Sequence, residues 1–418
     1  MRPSPVWRGA RSGAFPDTGA SLVEQGAAAP LTEITSDPAA VTVGSHYGGG
    51  VTGPVRMCPE CGRQFEFIDP AWRCCGVPMR LAAPPAAPVP LAELAGRPLT
   101  TWRYAEALGV PAQLWQTATL GEGITPLLSA GDGISVKVEY ASPTLSFKDR
   151  GVVLLVAQAL AAGASKVIAD SSGNAGTAVA AYSARVGLPA EIFVPESTSP
   201  KKIAQVRAHG AVINLVPGNR EATAAAAIAA VEQGDAFYAS HVYNPVFHLG
   251  TATYAFEVWE QLGGRLPDTF VLPVGNGTLV LGVTRAVAGL LAAGLIPSAP
   301  RIVAVQAANC APLAAAWRAG SAEPLPVEAS ATIAEGIAIS APARGAEILA
   351  AVDEIVTVTE DQVLSGREEL ARRGWYVEDT AAVCWAAAVA AEDGAWGEVV
   401  VPLSGAGLKT GWTPASHA

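Results

Sequence analysis

The chain has 418 residues; half are hydrophobic, 15% are charged, and the formal net charge is −10. This negative balance argues against broad electrostatic binding to nucleic acids or to anionic membranes. No stretch approaches about 18 apolar residues without Gly, Pro or a charge, so we expect no membrane-spanning helix. The first residues carry arginines but no apolar segment typical of a secretory signal, which makes the cytoplasm the expected location.

The first part of the chain divides into three segments of different composition. Residues 1–52 are rich in Gly, Ala, Pro and Ser without apolar periodicity, so we expect a flexible N-terminal tail. Residues 53–82 carry a group of cysteines and are interpreted as a separate module. The segment 83–118 opens with "APPAAPVP", and because proline-rich sequence is stiff and extended, we interpret it as a connector.

The cysteine module carries two pairs of cysteines with different spacing. Cys58 and Cys61 form "CPEC", and the gap of two residues lets both thiolates reach one metal ion. Cys74 and Cys75 are adjacent, and adjacent cysteines share one tetrahedral ion only with strained geometry. We predict a structural zinc site from these four residues, with the fourth ligand uncertain. A degenerate module without metal is the alternative, and a disulfide is less expected in a cytoplasmic chain.

From residue 119 to residue 418, β-branched runs alternate with helical segments. Strand–helix alternation with apolar strands indicates parallel sheets covered on both faces, and the length favours two α/β lobes with a cleft between them. Ser199-Pro200 and Thr359 carry the residue patterns of helix starts. The predicted strands are "ISVKVE", "KVIAD", "AEIFV", "AVINLV", "TFVLPV", "RIVAVQ", "EIVTV" and "EVVVPL".

Three of these strands precede loops rich in glycine and small polar residues, at 170–176, 274–278 and 403–411. In open α/β sheets, ligands bind at the carboxyl ends of strands, so the three loops predict one site. The loop "VGNGT" opens a helix, where converging backbone N–H groups suit a phosphate. It lacks both the acidic residue of a dinucleotide site and the Lys-Ser/Thr of an ATP loop. A simple phosphate ester therefore fits best, and an ordinary strand-to-helix turn is the alternative.

Lys148, one of six lysines, lies in "SPTLSFKDRG" at the start of a predicted helix. The amino end of a helix and apolar packing from Phe147 both disfavour a charged amine. A partly neutral amine is a nucleophile toward an aldehyde. Taken alone, Lys148 fits a solvated or ion-paired lysine better. Together with the phosphate loop, it favours a cofactor that carries both an aldehyde and a phosphate, which is pyridoxal 5′-phosphate.

The segments "SPTLSFKDRG", "SSGNAG", "PVGNGT" and "SGAGLKTG", in this order, resemble threonine synthase and its relatives among the fold-type II pyridoxal-phosphate enzymes. "GEGITPLL" at 121–128 and the helix at 250–268 extend the resemblance over roughly 120–411. It implies a two-lobe α/β fold of the tryptophan synthase β type over 119–418. It also implies a zinc-ribbon-like module at the front and a homodimer. The expected partner is a small amino-acid substrate, with no role for nucleic acid or membrane.

The resemblance also assigns site residues. Lys148 matches the lysine that holds the cofactor and carries out catalysis. Ser404 matches the residue that faces the pyridine nitrogen, where a hydroxyl would not keep that nitrogen protonated and would favour elimination and replacement chemistry; a helix-capping serine is the alternative. The remaining matches are Asn174 for the cofactor's phenolic oxygen, Gly275, Asn276, Gly277 and Thr278 for its phosphate, and Ser171, Ser172 and Gly173 for substrate.

The reaction implied is the conversion of O-phosphohomoserine and water to threonine and phosphate. A serine/threonine ammonia-lyase and a cysteine-synthase-like β-replacement enzyme remain open, as does a non-catalytic regulatory homologue. Phe247 stands where threonine synthases commonly have an arginine for the substrate phosphate, and Ala406 stands where a histidine is common. His248, Lys201 or Lys202 are candidates to compensate, and Phe247→Arg is expected to lower the Michaelis constant.

Overall fold

The computed structural model describes residues 53–392 and 394–409, so the tail expected over 1–52 lies outside the described residues. The strands, in chain order, are β1 (Arg56–Met57), β2 (Gln64–Phe65), β3 (Arg73–Cys74), β4 (Val77–Pro78), β5 (Arg80–Leu81), β6 (Leu127–Gly131), β7 (Ile134–Lys137), β8 (Val167–Ala169), β9 (Ala190–Pro195), β10 (Val212–Val216), β11 (Phe237–Tyr238), β12 (Thr269–Pro273), β13 (Arg301–Ala307), β14 (Glu354–Val358) and β15 (Val399–Pro402).

The helices pack between and around these strands. In chain order they are α1 (Ala105–Leu108), α2 (Ala112–Ala118), α3 (Lys148–Ala161), α4 (Asn174–Arg185), α5 (Pro200–Ala208), α6 (Arg220–Glu232), α7 (Val246–Gln261), α8 (Thr278–Ala292), α9 (Pro312–Ala319), α10 (Gly345–Leu349), α11 (Glu360–Arg372) and α12 (Asp379–Ala390). Short 3-10 helices span Leu91–Leu94, Thr101–Tyr104, Glu139–Ala141 and Glu335–Ile337. None of the described helices is long and apolar enough to cross a membrane.

Two larger sheets form two α/β lobes. The first has the order β10-β9-β8-β11 and is parallel throughout. The second has the order β14-β13-β12-β15-β7-β6 and is parallel except for the antiparallel pair of β6 and β7. All eight apolar runs singled out in the sequence form strands, and the predicted two-lobe α/β architecture is confirmed.

The predicted helix starts are also confirmed. Ser199 precedes α5 and Pro200 occupies its first turn, where a missing N–H costs no helical hydrogen bond. Thr359 and Gln362 form the reciprocal capping box at the start of α11. The loops that follow β8, β12 and β15 lie at the carboxyl ends of these strands, and they carry most of the predicted site residues.

The segments before the lobes are packed against them. Residues 53–82 form a small antiparallel sheet, in the order β2-β1-β5, and the hairpin β3-β4. Trp72 makes edge-on contacts with Tyr238 and Tyr243, each with ring centroids 5.0 Å apart. Residues 83–118, predicted as a connector, bury Trp102 in the core of the lobes.

A fully buried network of charged side chains joins α3 to β7 and α7. Arg150 donates to both oxygens of Glu139, at 2.6 and 2.8 Å, and to both oxygens of Glu257, at 2.5 and 2.8 Å. Lys137 donates to Glu257 over 2.7 Å. Burial acts to raise the pKa of Glu257, but Arg150 and Lys137 outweigh it and hold that pKa at about 2. The network fixes the first turn of α3, in which Lys148 stands two residues before Arg150.

Candidate active site

A cavity of about 510 Å³ lies between the two lobes, at the carboxyl ends of β8, β12 and β15. Both lobes supply its walls, as expected for a ligand site in an α/β fold. Every cofactor and substrate residue predicted from the sequence lines it: Lys148, Ser171, Ser172, Gly173, Asn174, Gly275, Asn276, Gly277, Thr278 and Ser404. The structure thus brings these residues together, while their individual roles stay predictions.

Lys148 is the first residue of α3, and its side chain lines the cavity. Its Nζ lies 4.3 Å from the centroid of the Phe147 ring and 5.5 Å from that of Phe247. It also lies 3.3 Å from Oγ1 of Thr278. Burial lowers the pKa of Lys148 to about 7. The charge of Glu378 opposes this shift, and the charge of Arg220 adds to it. A substantial fraction of this amine is therefore neutral at physiological pH.

The residue after Lys148 holds the turn that precedes the helix. The carboxylate of Asp149 accepts hydrogen bonds from the backbone N–H of Thr144, over 2.6 Å, and from its hydroxyl. Burial raises the pKa of Asp149 to about 7 in spite of these bonds. Three consecutive residues thus have three different surroundings: Lys148 faces the cavity, Asp149 closes the turn, and Arg150 enters the buried network.

The loop between β12 and α8 has the shape of a phosphate cradle. Gly277 has a φ of +71°, and a Cβ at this position would overlap the side chain of Ile348. A Cβ at Gly275 would lie 2.9 Å from Cα of Ile337. Only glycine fits at either position, so the loop packs closely against Ile337 and Ile348 just where α8 begins. A helix amino end with accessible N–H groups is a favourable place for a phosphate.

Glu378 is a site residue that the sequence reasoning missed. It lines the cavity, accepts a hydrogen bond from Nδ2 of Asn174 over 2.9 Å and accepts one from Oγ of Ser404 over 3.2 Å. Burial raises its pKa, and Asn174 and Lys409 oppose this shift. One carboxylate therefore links the two side chains that were predicted to hold the cofactor ring. In the sequence, Glu378 directly precedes a helix, and an acidic residue at this position is also explained by helix capping alone.

Lys409 is a second missed residue at the same place. Its Nζ donates to Oδ1 of Asn174 over 3.0 Å and to the backbone carbonyl of Thr144 over 2.7 Å. Burial lowers the pKa of Lys409, although Glu378 raises it. Asn174 thus accepts from Lys409 and donates to Glu378, which fixes the orientation of its amide.

The residues proposed to compensate for Phe247 have different surroundings. His248 is buried away from the cavity wall, and burial keeps the pKa of this imidazole well below its usual value, so it is neutral. Lys201 is exposed and does not line the cavity. Lys202 does line it and forms an ion pair with Glu335.

The expectation for Phe247→Arg stays a prediction. Phe247 is fully buried and does not line the cavity; a Cβ on Gly151 would overlap its ring. The Phe247 ring packs against Gly151 of α3, and its centroid lies 5.5 Å from Nζ of Lys148. Ala406 is also buried and forms an isolated antiparallel bridge with Val377.

The four cysteines of the N-terminal module converge. Their sulfur atoms all lie within 4.8 Å of one another. The sulfur of Cys74 lies 3.7 Å from that of Cys61 and 3.9 Å from that of Cys75. Zinc–sulfur bonds of about 2.3 Å in a tetrahedron place sulfurs roughly 3.8 Å apart, so both distances suit zinc. Cys75 has a φ of +51°, and this strained backbone lets two adjacent side chains point to one centre.

Comparison with known proteins agrees with this geometry. Residues 118–405 match the family of pyridoxal-phosphate dependent enzymes. The threonine synthase of Methanosarcina acetivorans is 30% identical over 331 residues, which cover 75% of this chain and 81% of that protein. The chain belongs to the threonine synthase family of pyridoxal-phosphate-dependent enzymes. Its cofactor is pyridoxal phosphate, as predicted.

Two further comparisons bear on the family and on the fold. The threonine synthase of Mycobacterium leprae is 33% identical over 308 residues, which cover 71% of this chain and 84% of that protein. The crystal structure of a threonine deaminase from T.th. is 28% identical with a TM-score of 0.58, and the match covers 67% of this chain and 89% of that one. The predicted fold-type II architecture is confirmed.

We predict that Lys148 attaches pyridoxal phosphate covalently, with a rate that rises as pH increases through about 7. An amine attacks an aldehyde only when it is unprotonated, and burial lowers the pKa of Lys148 from 10.5 to about 7. Protein stripped of cofactor is mixed with pyridoxal phosphate, trapped with borohydride at a series of pH values, and mapped by peptide mass spectrometry.

Lys148→Ala should lose the label, whereas Lys166→Ala should keep it, because Lys166 lies in a partly exposed ion pair with Glu191. A label on another lysine, or a rate that rises only near pH 10.5, would contradict the assignment.

For the cysteine cluster, we predict one zinc ion per chain in protein purified without chelator. Cys61→Ser and Cys74→Ser should each lose the metal and lower the melting temperature, because a structural zinc contributes folding free energy. Cys310→Ser is the matched control, since Cys310 is buried outside the cluster. Metal analysis that finds no zinc, or finds equal zinc loss in the control, would refute the site.

Proposed function

We propose that this protein is a lyase that converts O-phosphohomoserine and water to threonine and phosphate. The observation that carries the proposal is the cavity in which a lysine with a lowered pKa faces a glycine-rich phosphate cradle. The family assignment over residues 118–405 supports it. Residues 119–418 are then the catalytic domain, and residues 53–82 are a structural metal module in front of it.

The cavity fits pyridoxal phosphate. The loop at 275–278 would hold its phosphate, Lys148 its aldehyde carbon, Asn174 its phenolic oxygen and Ser404 its ring nitrogen. When bound, this cofactor supplies an electron-withdrawing ring that stabilises negative charge on the substrate carbon next to it. The remaining chemistry is the binding and proton transfer that the chain's own residues provide.

Lys148 is the proposed general base and acid at Cα and Cβ of the substrate. A group is most effective in proton transfer when its pKa lies near the working pH, and burial brings the pKa of Lys148 to about 7. Thr278 lies within 3.3 Å of Nζ and can hold the amine in place between transfers. Protons leave Cα and Cβ before the Cγ–O bond breaks and phosphate departs. Cγ then gains a proton, water adds its hydroxyl group at Cβ, and Cα regains its proton, so the lysine has to reach neighbouring carbons from one position.

The proposed place for the substrate carboxylate is the loop Ser171–Gly173. This loop leads into α4, a helix of 12 residues that begins at Asn174. Both the loop N–H groups and the positive end of the helix dipole favour a carboxylate there. Gly176 keeps the loop tight against the helix, because a Cβ at this position would overlap the backbone carbonyl of Ser171.

A serine/threonine ammonia-lyase is the second candidate. The similarity to a threonine deaminase structure favours it, as does the phenylalanine at position 247, where threonine synthases commonly have an arginine. Both reactions use the same lysine and the same cofactor. They differ in whether a phosphate leaves from Cγ of O-phosphohomoserine or a hydroxyl group leaves from Cβ of serine or threonine.

One assay separates the two candidates. We expect phosphate release from O-phosphohomoserine, with one threonine formed for each phosphate, to be faster than release of ammonia from serine or threonine. Lys148→Ala is the control for contaminating phosphatase, because it should abolish threonine formation. If ammonia release is faster than phosphate release in the unaltered protein, the ammonia-lyase function replaces the one proposed here.

A further inference from the structure

The cavity contains a cation that the proposed chemistry does not use. Among the described residues that line it, Lys148 serves the cofactor, Lys409 is bonded to Asn174, and Lys202 is paired with Glu335. Arg220 lines it too, and no described carboxylate lies within ion-pairing distance of its guanidinium. An arginine without a carboxylate partner, beside a substrate space, is available to an anion.

Arg220 lies at a helix start, so an anion beside it would be stabilised both by the helix and by the guanidinium. It is the first residue of α6, a helix of 13 residues, and Thr223 on the same turn also lines the cavity. Thus the positive end of this helix faces the cavity. A positive side chain at that end is unfavourable on its own, whereas an anion in front of both would gain from the helix dipole and from a charge-assisted hydrogen bond.

The charges around Arg220 include opposing carboxylates. Asp170 lines the same wall and accepts a hydrogen bond from the hydroxyl of Tyr238 over 2.9 Å. Glu335 reaches the cavity from the other lobe and holds Lys202, which belongs to α5. A phosphate dianion near Arg220 would compete with Glu335 for Lys202, and both cations would then face the ligand.

The phosphate of the proposed substrate needs such a contact. The arginine position of related enzymes holds Phe247, which is fully buried and lines no part of the cavity. A phosphate removed from water without a cation is costly, and a guanidinium matches phosphate oxygens with two parallel hydrogen bonds. We propose that Arg220, assisted by Lys202, binds the side-chain phosphate of the substrate. This inference rests on the proposed function and identifies the residue that gives it specificity.

The test compares Arg220→Ala with Arg207→Ala, an exposed arginine on α5 that does not line the cavity. In cofactor-loaded protein, Arg220→Ala should raise the Michaelis constant for O-phosphohomoserine by about 10- to 150-fold, the range for one lost charge-assisted contact. The turnover number should change by much less, and Arg207→Ala should change neither. Binding of homoserine, which lacks the phosphate, should be the same in all three proteins.

Glu335→Gln should change the affinity for phosphate in the opposite direction. It releases Lys202 from its carboxylate partner, so it should tighten binding of inorganic phosphate to the loaded protein, while Arg220→Ala should weaken it at least tenfold. Equal phosphate affinity in Arg220→Ala and Arg207→Ala would overturn the subsite. Absence of phosphate release in the unaltered protein would instead refute the proposed function, and the inorganic-phosphate measurement would still decide the role of Arg220.

Discussion

The guanidinium of Arg150, enclosed between the carboxylates of Glu139 and Glu257, anchors the helix turn that carries Lys148. These groups are fully buried, and Lys137 shares Glu257. Removing charges from water is expensive, so the network is stable only if every partner keeps its place. Arg150 lies in the first turn of α3, so the same constraint holds the turn from which Lys148 faces the cavity.

Burial also changes the pKa values of the side chains that line the cavity. An exposed lysine at the start of a helix would be protonated at neutral pH, whereas burial against Phe147 lowers the pKa of Lys148 to about 7. Across the cavity, Glu378 ties Asn174 to Ser404 through its two oxygens. A hydroxyl that donates to Glu378 presents only its lone pairs to other neighbours. The protonation of Glu378 therefore influences which hydrogen bonds Ser404 can make inside the cavity.

Much of the fold and part of the site follow from local sequence patterns. Every run of β-branched residues became a strand, and the loops after three of them met at one cavity, because parallel strands end at the same edge of a sheet. Glu378 and Arg220 could not be found in this way, since each looks like an ordinary charged residue at a helix start. His248, a candidate cation for the substrate phosphate, does not line the cavity, and burial keeps the pKa of its imidazole well below the usual value.

The most direct test of this account is the free energy of unfolding of Arg150→Met, measured by urea denaturation beside Arg301→Met. The first change leaves two buried carboxylates without their common partner and should cost about 3 to 5 kcal/mol. The second breaks a partly exposed pair with Glu354 and should cost less than about 1 kcal/mol. Arg150→Met should also slow borohydride-trapped labelling of Lys148. Equal losses of stability in the two variants, with unchanged labelling, would contradict it.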